Sequence, residues 1–225
     1  MDEGLVEGEE KRKFGVVWDG SAVGPKFNIR IPERQELPSI QDVMAVLQYF
    51  EDRGIEPSAV KIDFKAAFER VRVREEDTWM LTFRVAEEWR RFLVCPFGMR
   101  SSGCWWCKAV GVLHRCVHKL WADVLRGGMI YVDDGIWVVE KSKVEVVTAV
   151  VLLFLKIVGS PISWKKMSMG QDHEWCRYAV SLRSGRVGLT GRKQQMLADS
   201  IEGILTKGDR ASFVELQKLT CRMAW

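Results

Sequence analysis

Apolar residues recur along this chain with two periods, and together they predict short strands alternating with helices. Residues 129–139 hold two β-forming runs on either side of Asp133-Asp134-Gly135. Asp-Gly between such runs is a hairpin signal, so both acids are expected at or beside a tight turn joining paired strands. Residues 59–68 begin as a strand-like run with one acid, Asp63, and an aromatic five positions later, Phe68. Further short strands are read at 71–74, 79–85, 164–167 and 174–180. A first helix is predicted from Ser39 as N-cap to a stop at Gly54, and a second from Ser101 or Ser102 to the Gly127-Gly128 pair. A third follows the capping box of Ser142 with Glu145, a fourth covers 194–205, and a last one is capped at Ser212. The order strand, helix, hairpin, helix, strand implies an α+β fold: a split βαβ, antiparallel sheet with helices on one face.

Composition narrows the class. At 225 residues, 47% hydrophobic and 28% charged, the chain can bury one good core with a smaller appendage, as a soluble globular protein does. The net charge of +4 hides a gradient, because residues 1–10 hold five acids and no base, whereas residues 141–225 hold 14 bases against seven acids. The acidic head is expected to be disordered, and the basic C-terminal part suits a phosphate-backbone partner. No secretory signal is read at the N-terminus, and the apolar stretch 146–155 falls well short of the ~20 residues a membrane span needs. An intracellular protein with no membrane partner is expected, and its six cysteines are expected to be reduced thiols. Cys104, Cys107, His114 and His118 fall on nearly one helical face, but Cys104 and His114 would lie ~15 Å apart along the axis, too far to share a zinc ion.

Two neighbouring acids at the tip of an apolar hairpin repel each other, and either open water or a shared cation relieves the repulsion. Asp63, a third carboxylate on a neighbouring strand, would complete an oxygen cage for two hard divalent cations. Asp63 with Ala67-Phe68, then Cys95-Pro96-Phe97-Gly98-Met99-Arg100-Ser101-Ser102, then Tyr131-Val132-Asp133-Asp134, in that order, resembles the reverse-transcriptase palm of retroelements. The resemblance runs from about residue 13 to the end of the chain. It implies a polymerase palm over 59–182, partial fingers over 11–58 and the start of a helical thumb over 183–225. It further implies template-directed DNA polymerisation on an RNA or DNA template with a primer and dNTPs. The Asp19-Gly20-Ser21 turn and the Glu215-Leu216-Gln217 helix look more like those of DIRS or BEL/Pao retrotransposons than those of retroviruses. The competing reading is a decayed or domesticated palm that only binds nucleic acid or a protein.

The resemblance also assigns roles. Asp63, Phe64, Asp133 and Asp134 are the implied metal set, for two Mg²⁺ ions that Mn²⁺ can replace. Lys166, with Lys165 beside it, is the implied active-site lysine. Phe68 is the implied steric gate against a 2′-hydroxyl, and Phe97-Gly98 packs on nucleotide and template. Tyr131 and Val132 line the floor under the primer terminus, and Trp175 and Arg177 belong to the primer-gripping hairpin. One position departs: Gly15 stands where the family carries an arginine that grips the triphosphate, which leaves Lys13 and Arg12 as phosphate contacts.

Overall fold

The computed structural model describes residues 29–31, 33–122, 124, 127–206 and 212–224. Lys13, Arg12, Gly15, the acidic head and the expected fingers strand lie outside the described residues. In chain order the elements are α1 (Ile40–Glu51), β1 (Pro57–Asp63), β2 (Thr82–Val85), β3 (Glu88–Arg91), α2 (Ser102–Leu120), β4 (Gly127–Tyr131) and β5 (Asp134–Glu140). There follow α3 (Val144–Ile157), β6 (Ser168–Gly170), β7 (Asp172–Trp175), β8 (Tyr178–Ser181), β9 (Arg186–Leu189), α4 (Gly191–Leu205) and α5 (Phe213–Ala224). No helix among the described residues is long and apolar enough to cross a membrane.

The described residues divide into two compact units, one lying within 34–67 and 106–224, the other within 68–105 together with residues 29–31 and 33. The larger unit is built on an antiparallel sheet in the order β4-β5-β1-β6. Its register sets Asp63 opposite Asp134, Lys61 opposite Ile136 and Ala59 opposite Val138. Because strand side chains alternate, these residues share one face, and Val60, Ile62 and Trp137 share the other. The first face packs Ala59, Ile136, Val138 and Met129 against Val43, Leu47 and Phe50 of α1 and against Trp175, Val180 and Leu182. So α1, in the segment expected as fingers, covers this sheet together with the β7-β8-β9 sheet. On the opposite face His114 of α2 meets Trp137 at 6.0 Å, and Thr148 of α3 donates to the Met169 sulfur at 3.5 Å.

Local signals explain most boundaries. The Asp42 carboxylate accepts both the Ser39 N–H (2.7 Å) and its hydroxyl (2.8 Å), which starts α1 and holds the Asp42 carboxyl below its ordinary pKa. Gly54 follows α1 at φ 62°, a conformation that a Cβ disfavours. Ser212 and Glu215 form the same kind of box for α5.

Several expectations are corrected. The second helix ends at Leu120, and Gly127-Gly128 lies inside β4 rather than stopping a helix. A Cβ on Gly127 would stand 2.4 Å from the Val46 side chain, and one on Gly128 2.5 Å from His118, so close approach accounts for this pair. Ser142 donates to Glu140 at 2.6 Å instead of capping α3. The expected strand at 164–167 is a turn in which Lys166 and Met167 both donate to the Ser163 carbonyl.

The smaller unit also differs from expectation. Residues 71–74 form no strand, only an isolated bridge between Arg72 and Val94. Glu75–Leu81 is a 3₁₀ helix, because three acids open its first turn and the Thr78 hydroxyl closes onto the Glu75 carbonyl at 2.8 Å. Its hairpin pairs β2 with β3 through Ala86 and Glu87, both at positive φ.

Candidate active site

The β4–β5 hairpin carries the paired acids, but Gly135 is not in its turn. Tyr131 pairs with Asp134, so Val132 and Asp133 form the two-residue loop, with Val132 at φ 55°. A positive φ at the first loop position only is the II′ pattern, which matches strand twist but strains a β-branched residue. Gly135 sits in β5, where a Cβ would come 2.9 Å from the Trp137 ring.

Three donors hold this strained loop by consecutive carbonyls. Trp106 Nε1 donates to the Val132 carbonyl at 2.6 Å, the Phe64 N–H to that of Asp133 at 2.8 Å, and Trp175 Nε1 to that of Asp134 at 3.0 Å. The Trp106 ring meets Phe64 edge-on at 5.6 Å, and the Trp175 ring meets Tyr131 at 6.5 Å. Asp63 ends the neighbouring central strand, and its carbonyl is fixed by the Ser163 N–H at 2.8 Å.

The carboxylates stand in a field of their own making. Burial first, then the charge of Asp63, raise the Asp133 pKa. Burial also raises that of Asp134, against the opposing pull of Lys61. Lys166 Nζ donates to Asp63 Oδ2 at 2.8 Å, and this bond, with the three nearby carboxylates, raises the lysine's pKa and keeps it charged. The contact belongs to Lys166 rather than to Lys165. Lys61 Nζ lies 3.5 Å from Asp134 Oδ1 and donates to the Glu174 carbonyl at 2.5 Å.

The three acids expected as a cage lie at one end of the sheet, Asp63 opposite Asp134 in the register and Asp133 in the adjoining turn. No group of three or more His, Cys, Asp or Glu side chains stands in metal-holding geometry among the described residues. The charge of Asp63 pushes up the pKa of both Asp133 and Asp134, and Lys61 pulls that of Asp134 the other way. Two carboxylates still suit Mg²⁺, which commonly takes one or two from the protein and fills its shell with water and substrate phosphates. The Phe64 side chain is buried against Trp106, so this residue can offer a metal only its carbonyl.

Other expected residues separate into three groups. Phe68 and Phe97 meet at 5.2 Å within the smaller unit, with Phe97 exposed and Gly98 at φ 94°. Arg177 is exposed in the two-residue β7–β8 turn, where Cys176 (φ 50°) and Arg177 (φ 68°) lack any glycine signal. The run 174–180 is therefore a hairpin and not one strand. Trp175, expected at the primer, is 1% exposed and spends its N–H on the Asp134 carbonyl, so its side chain is a positioning group with no surface for a primer. Sequence reasoning missed Trp106 and Lys61. A signal for Lys61 existed: it is the one basic residue in a buried strand, two positions from Asp63 and hence on its face.

The sequence model described as "Reverse transcriptase (RNA-dependent DNA polymerase)" matches residues 22–181, well over half of the chain. The chain belongs to the reverse transcriptase family. Its fold is similar to that of a foamy viral protease-reverse transcriptase solved with double-stranded DNA, at TM-score 0.70 and 17% identity over 96% of this chain. It is also similar to a foamy viral protease-reverse transcriptase solved with an RNA/DNA hybrid, at TM-score 0.63 and 15% identity over 91%. At such identities the likeness is one of fold, and this reverse transcriptase chain spans only 34% and 25% of those two chains. A comparison with curated proteins finds none that matches.

Proposed function

We propose that this chain catalyses template-directed DNA synthesis on RNA or DNA, as the polymerase of an intracellular retrotransposon, by two-metal phosphoryl transfer. The observation that carries the reading is Asp63 at the end of β1 beside the β4–β5 turn that holds Asp133, joined by the Phe64 N–H on the Asp133 carbonyl at 2.8 Å, with Lys166 on Asp63. Bound Mg²⁺ would supply Lewis acidity to activate a primer 3′-hydroxyl and to neutralise charge on the leaving pyrophosphate. Asp63 and Asp133 would hold it, with the Phe64 carbonyl as a further oxygen. Lys166 neutralises Asp63 before substrate arrives. Released from that carboxylate, its ammonium carries a proton within reach of the triphosphate, and its raised pKa keeps that proton in place until then. Phe68, backed by Phe97, is the group proposed to fill the space of a 2′-hydroxyl.

Primer extension on an RNA template with Mg²⁺, comparing dNTPs with rNTPs, tests the reading. Extension with a strong dNTP preference is expected, and loss on Asp133→Asn. Equal use of rNTPs, or nucleic-acid binding without any extension, would overturn it.

A further inference from the structure

Lys61 has no place in the roles assigned above, and a lysine inside the central strand of a sheet is costly unless something holds its charge. Its side chain is 17% exposed and that of Asp134 22%, so the pair is largely shielded from water. Its two contacts lie on separate elements: Asp134 on β5 and the Glu174 carbonyl on β7. The same two elements are joined once more, because Trp175 Nε1 donates to the Asp134 carbonyl at 3.0 Å. Residues 174 and 175 thus reach Asp134 by an indole N–H and through a shared cation.

Resting on the polymerase reading, we propose that Lys61 is a positioning residue that locks the β7–β8 turn onto Asp134. Through it, the hairpin that carries Arg177 and the strand that carries the acids form one rigid arrangement. Two consequences follow from the geometry. Asp134 keeps a cation 3.5 Å from its Oδ1 on the sheet face it shares with Asp63. The turn, strained at two non-glycine residues of positive φ, keeps its conformation because its flanking groups are pinned on both sides.

Hydrogen exchange on the free protein provides the first test, since it needs neither metal nor nucleic acid. In Lys61→Met the amides of 174–178 should exchange about tenfold faster, with those of β4 and β5 away from the turn unchanged, as local opening requires. Lys61→Arg, which keeps a cation, should stay within about two-fold of the parent. The second test is binding of a primer–template with a dideoxy-terminated primer. Lys61→Met should raise Kd about tenfold, and combining it with Asp134→Asn should add little, because both remove the same lock. Additive effects, exchange that rises uniformly through the sheet, or a turn that exchanges at the parental rate would each overturn the proposal. Should Lys61→Met fail to fold, Lys61→Arg and Asp134→Asn still decide it: exchange in Asp134→Asn must rise at 174–178 alone. An absence of polymerisation by the parent would sink the polymerase reading while leaving the exchange result to judge Lys61 by itself.

Discussion

Replacing Trp106 by Phe removes a single N–H from the site, and the structure gives its worth. The indole is buried, meets Phe64 edge-on, and donates at 2.6 Å to the carbonyl of Val132, a β-branched residue at φ 55°. Leaving a buried carbonyl without its donor costs about 1–3 kcal/mol. The smaller ring adds a void worth about 1 kcal/mol. Left-handed backbone at a residue with a Cβ itself costs about 1–2 kcal/mol, and the lost bond is one of the three that hold it there. Trp106→Phe should therefore lower stability by about 2–4 kcal/mol, and Tm by about 5–15 °C at 2–4 °C per kcal/mol for a chain of this size. Asp133 follows Val132 directly, and a displacement of about 1 Å there can cost about a hundredfold in rate. Differential scanning calorimetry and single-turnover primer extension measure the two effects. Adding Val132→Asn, which tolerates left-handed backbone, should recover about 1 kcal/mol of the loss. A Tm within about 2 °C of the parent, with unchanged extension, would refute the idea that the carbonyl donors hold the turn.

Asp133→Asn should abolish extension by several orders of magnitude, because a lost ligand removes several kcal/mol of transition-state stabilisation, while Tm in the absence of metal holds or rises as the repulsion with Asp63 disappears. Extension at the parental rate would exclude the assignment. Phe68→Ala should raise ribonucleotide use relative to dNTPs without ending DNA synthesis, and an unchanged ratio returns Phe68 to the aromatic pair it forms with Phe97. Burial, then the neighbouring His118, push the His114 pKa down to about 4 from an ordinary 6.5. The unfolded chain takes up that proton first, so stability conferred by neutral His114 is full above pH about 6.5 and is lost as pH falls towards 4, by about 1–3 kcal/mol after allowance for partial exposure. Urea titrations at pH 7 and 5 measure it, and His114→Leu should flatten the difference. Gly15→Arg should lower the KM for dNTPs and Lys13→Ala should raise it, by about ten-fold for a bidentate charged contact, and KM values within about two-fold of the parent in both would disprove the fingers alignment.

The sequence made the sheet and its acids legible because both obey strong local rules. The apolar runs at 59–68 and 129–139 set Asp63 on a strand neighbouring the hairpin, and the Asp-Gly signal set Asp133 and Asp134 at or beside its turn. The turns were less legible. Gly135 drew attention as a turn former, yet it is a strand residue that makes room for Trp137, and the turn falls on Val132 and Asp133. The Cys176-Arg177 turn carries no glycine, asparagine or proline, so residues 174–180 read as one strand. In each case tertiary contacts override local preference: tryptophan N–H groups and a lysine, distant in sequence, hold conformations the local residues would not choose. Trp175 shows the same limit in a functional assignment. Its place in the motif suggests a surface that grips a primer, and its burial shows a group that holds Asp134. The chemistry proposed for this site was legible in its aspartates and Lys166, whereas Trp106, Trp175 and Lys61, which hold the turns beside them, were not. A strand, an aromatic or a basic residue reads as ordinary in sequence until the fold shows which carbonyl or carboxylate it meets.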